Sequence, residues 1–205
     1  LVCVCGNHDV GDRPTAVSIQ GWRRRFGDDY FAFVVEGVRF VVINSQLYKD
    51  PSAAPALAAM QDTWLREELS VECGRRQPPW RHTVVFSHIP PFIDAPGEPE
   101  GYFTLSSVVR EDLLELFAAA GVKAWFCGHY HRNAGGLFRS SATPGAEVEV
   151  VTTAAVGSNL TTEPTGDPRG LSGMAGVVLD PMLSGVRVVE VTDAGVSHRF
   201  ESLSV

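Results

Sequence analysis

Four of the six histidines in this 205-residue sequence follow apolar runs and lie beside other polar side chains. Gly6-Asn7-His8-Asp9 follows the run Leu1 to Cys5, His88 follows "HTVVFS", and "GHYH" at 128–131 follows "VKAWFC". Imidazole nitrogens and amide oxygens are suitable ligands for zinc, iron or manganese. The three clusters therefore predict a site that holds a divalent metal ion.

Each of these residues has an ordinary interpretation when it is taken alone. A lone histidine at a strand end is usually a hydrogen-bonded surface residue, Asn7 is typical of a turn, and Asp9 is typical of a helix cap. The same coincidence after three apolar runs favours one shared site over three unrelated ones. The remaining histidines, His82 and His198, lie outside the three clusters.

The elements that must position these residues follow from the periodicity of the chain. The three apolar runs have the length and composition of short buried strands. Because ligands bind at the carboxyl ends of strands in layered α/β sheets, the three clusters are expected to share one pocket. Between them we expect helices over residues 15–26, about Ala56 to Val71 and Ser106 to Gly121, and a hairpin over 30–45.

The C-terminal third has a different residue pattern. Four β-rich runs, over residues 147–153, 176–179, 186–191 and 196–201, are separated by loops rich in glycine, proline, serine and threonine. We expect these runs to form an antiparallel part of the structure. The longest loop is expected at about 157–173.

The composition, 44% hydrophobic and 20% charged residues, is typical of one globular domain, which we take as residues 1–205. The net charge of −7 argues against a nucleic-acid partner, which needs a clustered basic surface. The basic runs Arg23-Arg24-Arg25 and Arg75-Arg76 are therefore expected to be solvated. No apolar run approaches the about 20 residues of a membrane helix, so no membrane partner is predicted.

The four cysteines indicate a reducing compartment. Cys3, Cys5 and Cys127 lie in apolar runs, where a free cysteine is usually a small buried hydrophobic residue, and Cys73 is the fourth. Cys3 and Cys5 share one face of the expected strand and are poorly placed to bridge each other. We therefore expect a cytoplasmic protein.

The three clusters, taken in their order along the chain, resemble the later sequence blocks of the calcineurin-like metallophosphoesterases. Gly-Asn-His-Asp, an isolated histidine after a strand, and Gly-His-x-His carry the resemblance, which extends from residue 1 to about residue 138. It implies a four-layer α-β-β-α sandwich. It also implies two divalent metal ions (Mn, Fe or Zn) and hydrolysis of phosphomonoesters by a metal-held hydroxide, in a serine/threonine protein phosphatase that acts on phosphoproteins.

The resemblance also implies a role for each matching residue. Asn7, His88 and His129 would ligate one metal ion, and His131 would ligate the other. The two ions of such a site lie about 3.5–4 Å apart.

Two residues of the first cluster would act on the leaving group instead. His8 would protonate the leaving alkoxide, and Asp9 would orient and stabilise that imidazole. Tyr130, Arg132 and Asn133 would border the pocket. Arg132 is the favoured phosphate contact among them, because a guanidinium group matches phosphate geometry.

The earlier blocks of the family, an Asp-x-His and a Gly-Asp, have no counterpart before residue 6. Gly11-Asp12, Gly27-Asp28 and Gly166-Asp167 come too late in the chain and are interpreted as turns. Two dications about 4 Å apart repel by roughly 17 kcal/mol at an effective dielectric of 20, and neutral ligands do not offset this. We therefore expect the C-terminal portion of a longer protein, incomplete at its N-terminus.

Three alternatives stay open. The first is a phosphodiesterase of the same family, acting on cyclic nucleotides or other diesters. The second is a non-catalytic interaction module on the same scaffold. The third is a structural zinc protein that uses Cys3, Cys5, Cys127, His129 and His131, although compact zinc folds place their cysteine pairs on turns.

Overall fold

A computed structural model describes residues 1–70, 80–157, 159–162, 177–179 and 184–203. Its helices are α1 (Asn7–Val10), α2 (Ala16–Phe26), α3 (Ser45–Lys49), α4 (Pro55–Leu69) and α5 (Ser107–Ala119). Its strands are β1 (Phe31–Val35), β2 (Val38–Val42), β3 (His82–Phe86), β4 (Val122–Cys127), β5 (Ala134–Arg139), β6 (Glu147–Thr152), β7 (Leu160–Thr162), β8 (Val177–Leu179), β9 (Gly185–Thr192) and β10 (Gly195–Ser202).

A six-stranded sheet in the order β1-β2-β3-β4-β6-β5 forms the centre of the fold. The strands β2, β3, β4 and β6 are parallel, and the two edge strands, β1 and β5, are antiparallel to their neighbours. Parallel strands place their carboxyl ends at the same edge. The ends of β3 and β4, which precede two of the histidine clusters, are therefore neighbours.

Helices α4 and α5 cover one face of the sheet. Leu65 of α4 and Phe117 of α5 are fully buried in the same core cluster as Val85 and Trp125 of the sheet. The Trp125 ring meets the Phe117 ring edge-on at 4.8 Å, and its Nε1 donates to Ser87 Oγ at 2.8 Å. Each such side chain contributes about 1.5–3 kcal/mol by leaving water, so this layer supports the two strands that carry the site.

The hairpin of β9 and β10 packs on the opposite face. Val191 and Val196 contact a second apolar cluster that contains Val84 and Phe126. The described residues therefore show three layers, helices, sheet and ribbon, and the mixed α/β fold is confirmed. The outer helical layer of the expected four-layer sandwich is not among the described elements.

Most predicted elements are confirmed, with small differences at their ends. Thr15 caps α2 by accepting a hydrogen bond from the Ser18 backbone N–H, and Pro55 is the first residue of α4. Helix α4 ends at Leu69. The predicted end of this helix, the fourth cysteine and the second basic run lie outside the described residues.

The prediction of a strand over Leu1 to Cys5 is wrong. No ladder of hydrogen bonds joins this segment to another described strand, and Leu1 and Val2 are exposed. Cys5 is fully buried, but it packs against Val10 and Trp22 rather than in the sheet.

Strand β5 was not predicted, because Gly135 and Gly136 interrupt its apolar pattern. Gly135 has a φ of 128°, and a Cβ atom there would overlap the Val150 carbonyl of β6. The close approach of the two backbones therefore requires glycine.

The prediction of a loop over about 157–173 is wrong at residues 160–162, which form β7 and pair with β8, because strand pairing supplies the backbone hydrogen bonds there. The rest of that loop, from residue 163, lies outside the described residues, as does Gly166-Asp167. No helix among the described residues is long and apolar enough to cross a bilayer.

Candidate metal centre

Three candidate site residues lie at the ends of the elements that position them. Asn7 is the first residue of the single turn α1, and His88 and His129 each lie two residues beyond the end of a central strand. Gly6 permits their approach, because a Cβ atom at this position would lie 2.8 Å from the His88 ring. The ring of His88 therefore occupies space that only a glycine leaves open.

Three candidate ligand atoms converge at this point. His88 Nε2 lies 3.0 Å from Asn7 Oδ1 and 3.1 Å from His129 Nδ1. Asn7 and His129 are buried, with 6% and 7% of their surface exposed, and His88 is half-buried. The structure thus brings together three of the residues that the sequence predicts as metal ligands.

Burial keeps both imidazoles neutral. It lowers the pKa of His88 to about 3, with smaller contributions from His129 and His131. Burial also lowers the pKa of His129 to about 4, against a hydrogen bond with the Tyr102 backbone that raises it. Their lone pairs are therefore available at neutral pH.

The cluster fits a divalent cation. His88 Nε2 lies at hydrogen-bond distance from an amide oxygen and a second imidazole nitrogen, and this arrangement is favourable only when one of the nitrogens carries a proton or a cation lies among the three atoms. Nitrogen and oxygen donors of this kind suit zinc, iron or manganese. Within the described ranges, however, no group of three histidine, cysteine, aspartate or glutamate side chains could hold a metal ion.

Two further residues, which the sequence analysis missed, hold the Asn7 amide. Asn7 Nδ2 donates to Asp12 Oδ1 at 3.1 Å and to the Tyr102 hydroxyl at 3.2 Å. The interpretation of Gly11-Asp12 as a turn is right for the backbone, since Gly11 ends α1 with a φ of 91°. The turn also returns the Asp12 carboxylate to Asn7, which the dipeptide alone does not reveal.

An aromatic wall encloses His129. The rings of Tyr102 and Phe103 lie 5.1 and 5.5 Å from the His129 ring, and Phe103 contacts Tyr130 edge-on at 5.2 Å. Burial and the neighbouring Asp12 raise the pKa of the Tyr102 hydroxyl, which therefore stays protonated at neutral pH. Tyr102, Phe103 and Tyr130 also line a cavity of about 190 Å³.

The other predicted site residues lie outside the three-atom cluster. His8 and Asp9 are exposed, and Asp9 Oδ2 accepts a hydrogen bond from the Gly6 N–H at 2.8 Å. Among the described residues, no hydrogen bond joins Asp9 to the His8 imidazole. His131 adopts a φ of 56° and lies near enough to lower the pKa of His88.

The residues expected to border the pocket have partners of their own. The Arg132 guanidinium donates to the Tyr130 hydroxyl at 3.3 Å and lies over that ring. Asn133 Oδ1 accepts from the Ala154 N–H at 3.1 Å and from Arg187 Nη2 at 2.6 Å. Asn133 therefore joins the sheet to β9.

The histidines that were placed outside the clusters do lie elsewhere. His82 Nε2 is 2.8 Å from the Thr192 carbonyl oxygen, and His198 Nε2 is 3.2 Å from a Glu149 carboxylate oxygen. Both contacts join β9 and β10 to the sheet.

The described cysteines do not support a structural zinc site. Cys3, Cys5 and Cys127 are free, and the last two are buried. Burial raises the pKa of Cys127 to about 12 and raises that of Cys5 as well. Thiols held in this form are poor zinc ligands, because zinc binds the thiolate.

Comparison with known proteins identifies relatives of the chain. No family model matches the chain. The chain is 42% identical over 203 residues to the serine/threonine-protein phosphatase CPPED1 of Bos taurus and 41% identical over 204 residues to that of Homo sapiens. The chain is a homologue of the CPPED1 phosphatases. The predicted resemblance to the calcineurin-like phosphoesterases is thereby confirmed.

Each alignment covers a larger share of this chain than of the relative. Each includes 99% of this chain but 56% of the CPPED1 relative. The chain therefore spans about half the length of the curated relatives that it matches.

Two solved structures share the fold. One is GAP50, the anchor in the inner membrane complex of Plasmodium, with a TM-score of 0.52 and 18% identity over 84% of this chain and 49% of that one. The other is the purple acid phosphatase PPD1 of yellow lupin, with a TM-score of 0.50 and 13% identity over 73% of this chain and 30% of that one. These similarities confirm the α/β fold class.

Proposed function

We propose that the chain carries part of the active site of a metal-dependent phosphomonoesterase, which removes phosphate from serine or threonine residues of proteins. In a two-metal site of this kind, Asn7, His88 and His129 would ligate one divalent metal ion, and His131 would be a ligand of the second. Manganese, iron and zinc each suit these donors. The convergence of Asn7 Oδ1, His88 Nε2 and His129 Nδ1 within 3.0–3.1 Å carries the proposal.

Such metal ions supply Lewis-acid stabilisation of phosphoryl oxygens and a nucleophile at neutral pH. The chain's own contribution begins with the parallel strands β3 and β4, which hold His88 and His129 at neighbouring ends. The rings of Tyr102 and Phe103 pack against His129 and keep water from that side.

His8 is the proton donor in this proposal. A serine or threonine alkoxide is a poor leaving group, and protonation by a positioned imidazole contributes about 10²–10⁴-fold. His8 follows the ligand Asn7 directly and is exposed, so a phosphoprotein can reach it. Asp9, the next residue, supports the positive charge of that imidazole.

The substrate class and the location belong to the same proposal. The names of the CPPED1 relatives support a phosphoprotein substrate. The free thiols of Cys3, Cys5 and Cys127 support a cytoplasmic location, where cysteines stay reduced.

The neutral donor set limits what the described residues do by themselves. Two dications about 4 Å apart repel by roughly 17 kcal/mol at a dielectric of 20. Bridging carboxylates offset such repulsion, whereas Asn7, His88, His129 and His131 are all neutral donors. We therefore expect the 205-residue chain to bind at most one metal ion weakly and to turn over poorly.

Hydrolysis of p-nitrophenyl phosphate and its bis-ester by the purified chain with Mn²⁺ tests the proposal. We expect slow, metal-dependent hydrolysis that favours the monoester and falls at least tenfold in His8→Ala. His198→Ala is the control, since His198 of β10 contacts Glu149 and the Phe126 ring rather than the metal cluster.

Three outcomes would count against the proposal. Faster hydrolysis of the bis-ester would identify a phosphodiesterase. Activity that persists in His8→Ala would show that His8 is not the proton donor. Activity that persists after chelation, without added metal, would show that hydrolysis does not depend on a metal centre.

A further inference from the structure

We propose that Asp12 and Tyr102 are positioning residues, which hold the Asn7 amide so that its oxygen faces His88 and His129. This inference rests on the proposed metal site and adds to it the two groups that select the ligand atom. Neither residue belongs to a motif in which the sequence analysis placed a ligand.

Both the nitrogen and the oxygen of the Asn7 side-chain amide make polar contacts. Nδ2 donates to Asp12 Oδ1 at 3.1 Å and to the Tyr102 hydroxyl at 3.2 Å, while Oδ1 lies 3.0 Å from His88 Nε2. The Tyr102 hydroxyl in turn donates to Asp12 Oδ1 at 3.4 Å. The three residues form a closed triangle of hydrogen bonds.

The Asp12 carboxylate decides the orientation. An ionised carboxylate only accepts hydrogen bonds. A reversed Asn7 amide would direct its oxygen at that carboxylate and its NH₂ group at His88 Nε2, where the amide would have no lone pair to offer a metal ion. The reversed amide would replace an attraction with a repulsion on one side and supply no ligand on the other.

The same carboxylate adds negative charge to a neutral donor set. A charge-assisted hydrogen bond to Nδ2 polarises the amide, so that Oδ1 becomes more negative. Residues that support a metal ligand in this way commonly change metal affinity by 10–100-fold. Asp12 thereby contributes part of the charge compensation that Asn7, His88 and His129 lack.

Tyr102 brings the second support from a distant part of the chain. It lies in the loop between β3 and α5, 95 residues from Asn7. Tyr102 is 46% exposed, and Asp12 is also exposed. Loss of either side-chain oxygen therefore leaves the core intact, and an effect on the site is separable from an effect on stability.

The first experiment needs no metal. Side-chain amide exchange of Asn7 is measured by ¹⁵N NMR on the metal-free chain. We expect the Asn7 NH₂ protons to be protected at least tenfold against exchange and to lose that protection in Asp12→Ala. Rapid exchange in the parent chain would overturn the inference, whether or not the chain binds metal.

The second experiment measures the affinity for Mn²⁺ by calorimetry. We expect Asp12→Ala to weaken binding about tenfold or more and Tyr102→Phe to weaken it less. Asp12→Asn, which keeps an acceptor oxygen, should recover part of the loss. Asp94→Ala removes an equal charge from the loop that carries Tyr102, and Tyr48→Phe removes a hydroxyl that donates to the Asp62 carboxylate outside the site, so both serve as matched controls.

The outcomes separate the two proposals. Binding of Mn²⁺ that is equal in the parent chain, Asp12→Ala and Tyr102→Phe would overturn the positioning role and leave the metal site standing. No measurable binding by the parent chain would overturn the proposed metal site, and the exchange of the Asn7 NH₂ protons would then decide the positioning role by itself. Equal losses of Mn²⁺ affinity in Asp94→Ala and Asp12→Ala would show that the effect depends on net charge and would overturn the positioning role.

Discussion

His88 Nε2 lies 3.0 Å from Asn7 Oδ1, although 81 residues separate the two in the chain. Neither residue is in a strand; His88 follows β3, and Asn7 begins the first helical turn. The contact exists because Gly6 lacks a side chain and lets the imidazole approach the backbone. A single missing Cβ atom thus permits the arrangement that the proposed function needs.

We expect His88→Ala to abolish Mn²⁺ binding to the chain. His88 Nε2 contacts both Asn7 Oδ1 and His129 Nδ1. Its removal therefore leaves only two of the three proposed ligand atoms. Calorimetry with His198→Ala as the control measures the effect. Retained binding in His88→Ala would show that the metal lies elsewhere.

We expect Gly6→Ala to weaken Mn²⁺ binding about tenfold or more. The new Cβ atom would lie 2.8 Å from the His88 ring, which must therefore move away from Asn7. Gly97→Ala is the control, because a Cβ atom at Gly97 meets nothing within 4 Å. The steric account fails if the two variants bind Mn²⁺ with the same affinity.

The metal-free chain should lose stability as the pH decreases below about 6.5. Unfolded imidazoles take up protons near that pH, whereas the pKa values of His88 and His129 in the fold are lowered to about 3 and about 4. Between these values the unfolded state binds more protons, so the free energy of unfolding decreases by up to about 1.4 kcal/mol per pH unit for each histidine. Their contribution is fully present above about pH 6.5.

Urea denaturation between pH 7.5 and 5.5 measures this slope. His88→Gln removes one of the two depressed imidazoles and should make the dependence shallower. Identical slopes in the parent chain and His88→Gln would mean that His88 takes up its proton as easily in the fold as in the unfolded chain.

The sequence predicts the sheet and its helices well because these depend on local patterns. The apolar runs before His88 and Gly128 are β3 and β4, and the capping residue Thr15 marks the start of α2. The run Leu1 to Cys5 has the same pattern but pairs with no described strand, since a strand also needs a neighbour, which composition does not reveal.

The supporting residues of the site were harder to predict. Tyr102 and Asp12 lie 90 residues apart and meet only because the loop before α5 folds over the first helical turn. Neither has a spacing relative to the histidine clusters that signals a shared site. Long-range polar contacts of this kind depend on the packed structure rather than on a local pattern.

Phe117→Ala should lower the free energy of unfolding by about 3–5 kcal/mol. Phe117 is fully buried and meets the Trp125 ring at 4.8 Å, so truncation leaves a cavity under the strand that carries His129. Val108→Ala on the same helix is the control, since Val108 is 77% exposed and should change stability by less than about 0.5 kcal/mol. Chemical denaturation compares the two, and similar losses would place Phe117 outside the core.

Chelation should remove metal binding from the chain while leaving it folded. A structural metal ion is needed where the hydrophobic core is too small to stabilise the fold by itself. Here α4, α5 and the sheet form a core that includes Leu65, Leu113 and Trp125 and none of the proposed ligands. We therefore expect EDTA to leave the far-ultraviolet circular dichroism spectrum unchanged at 25 °C. Unfolding on addition of EDTA, reversed by Zn²⁺ with the cysteines as ligands, would revive the structural zinc alternative.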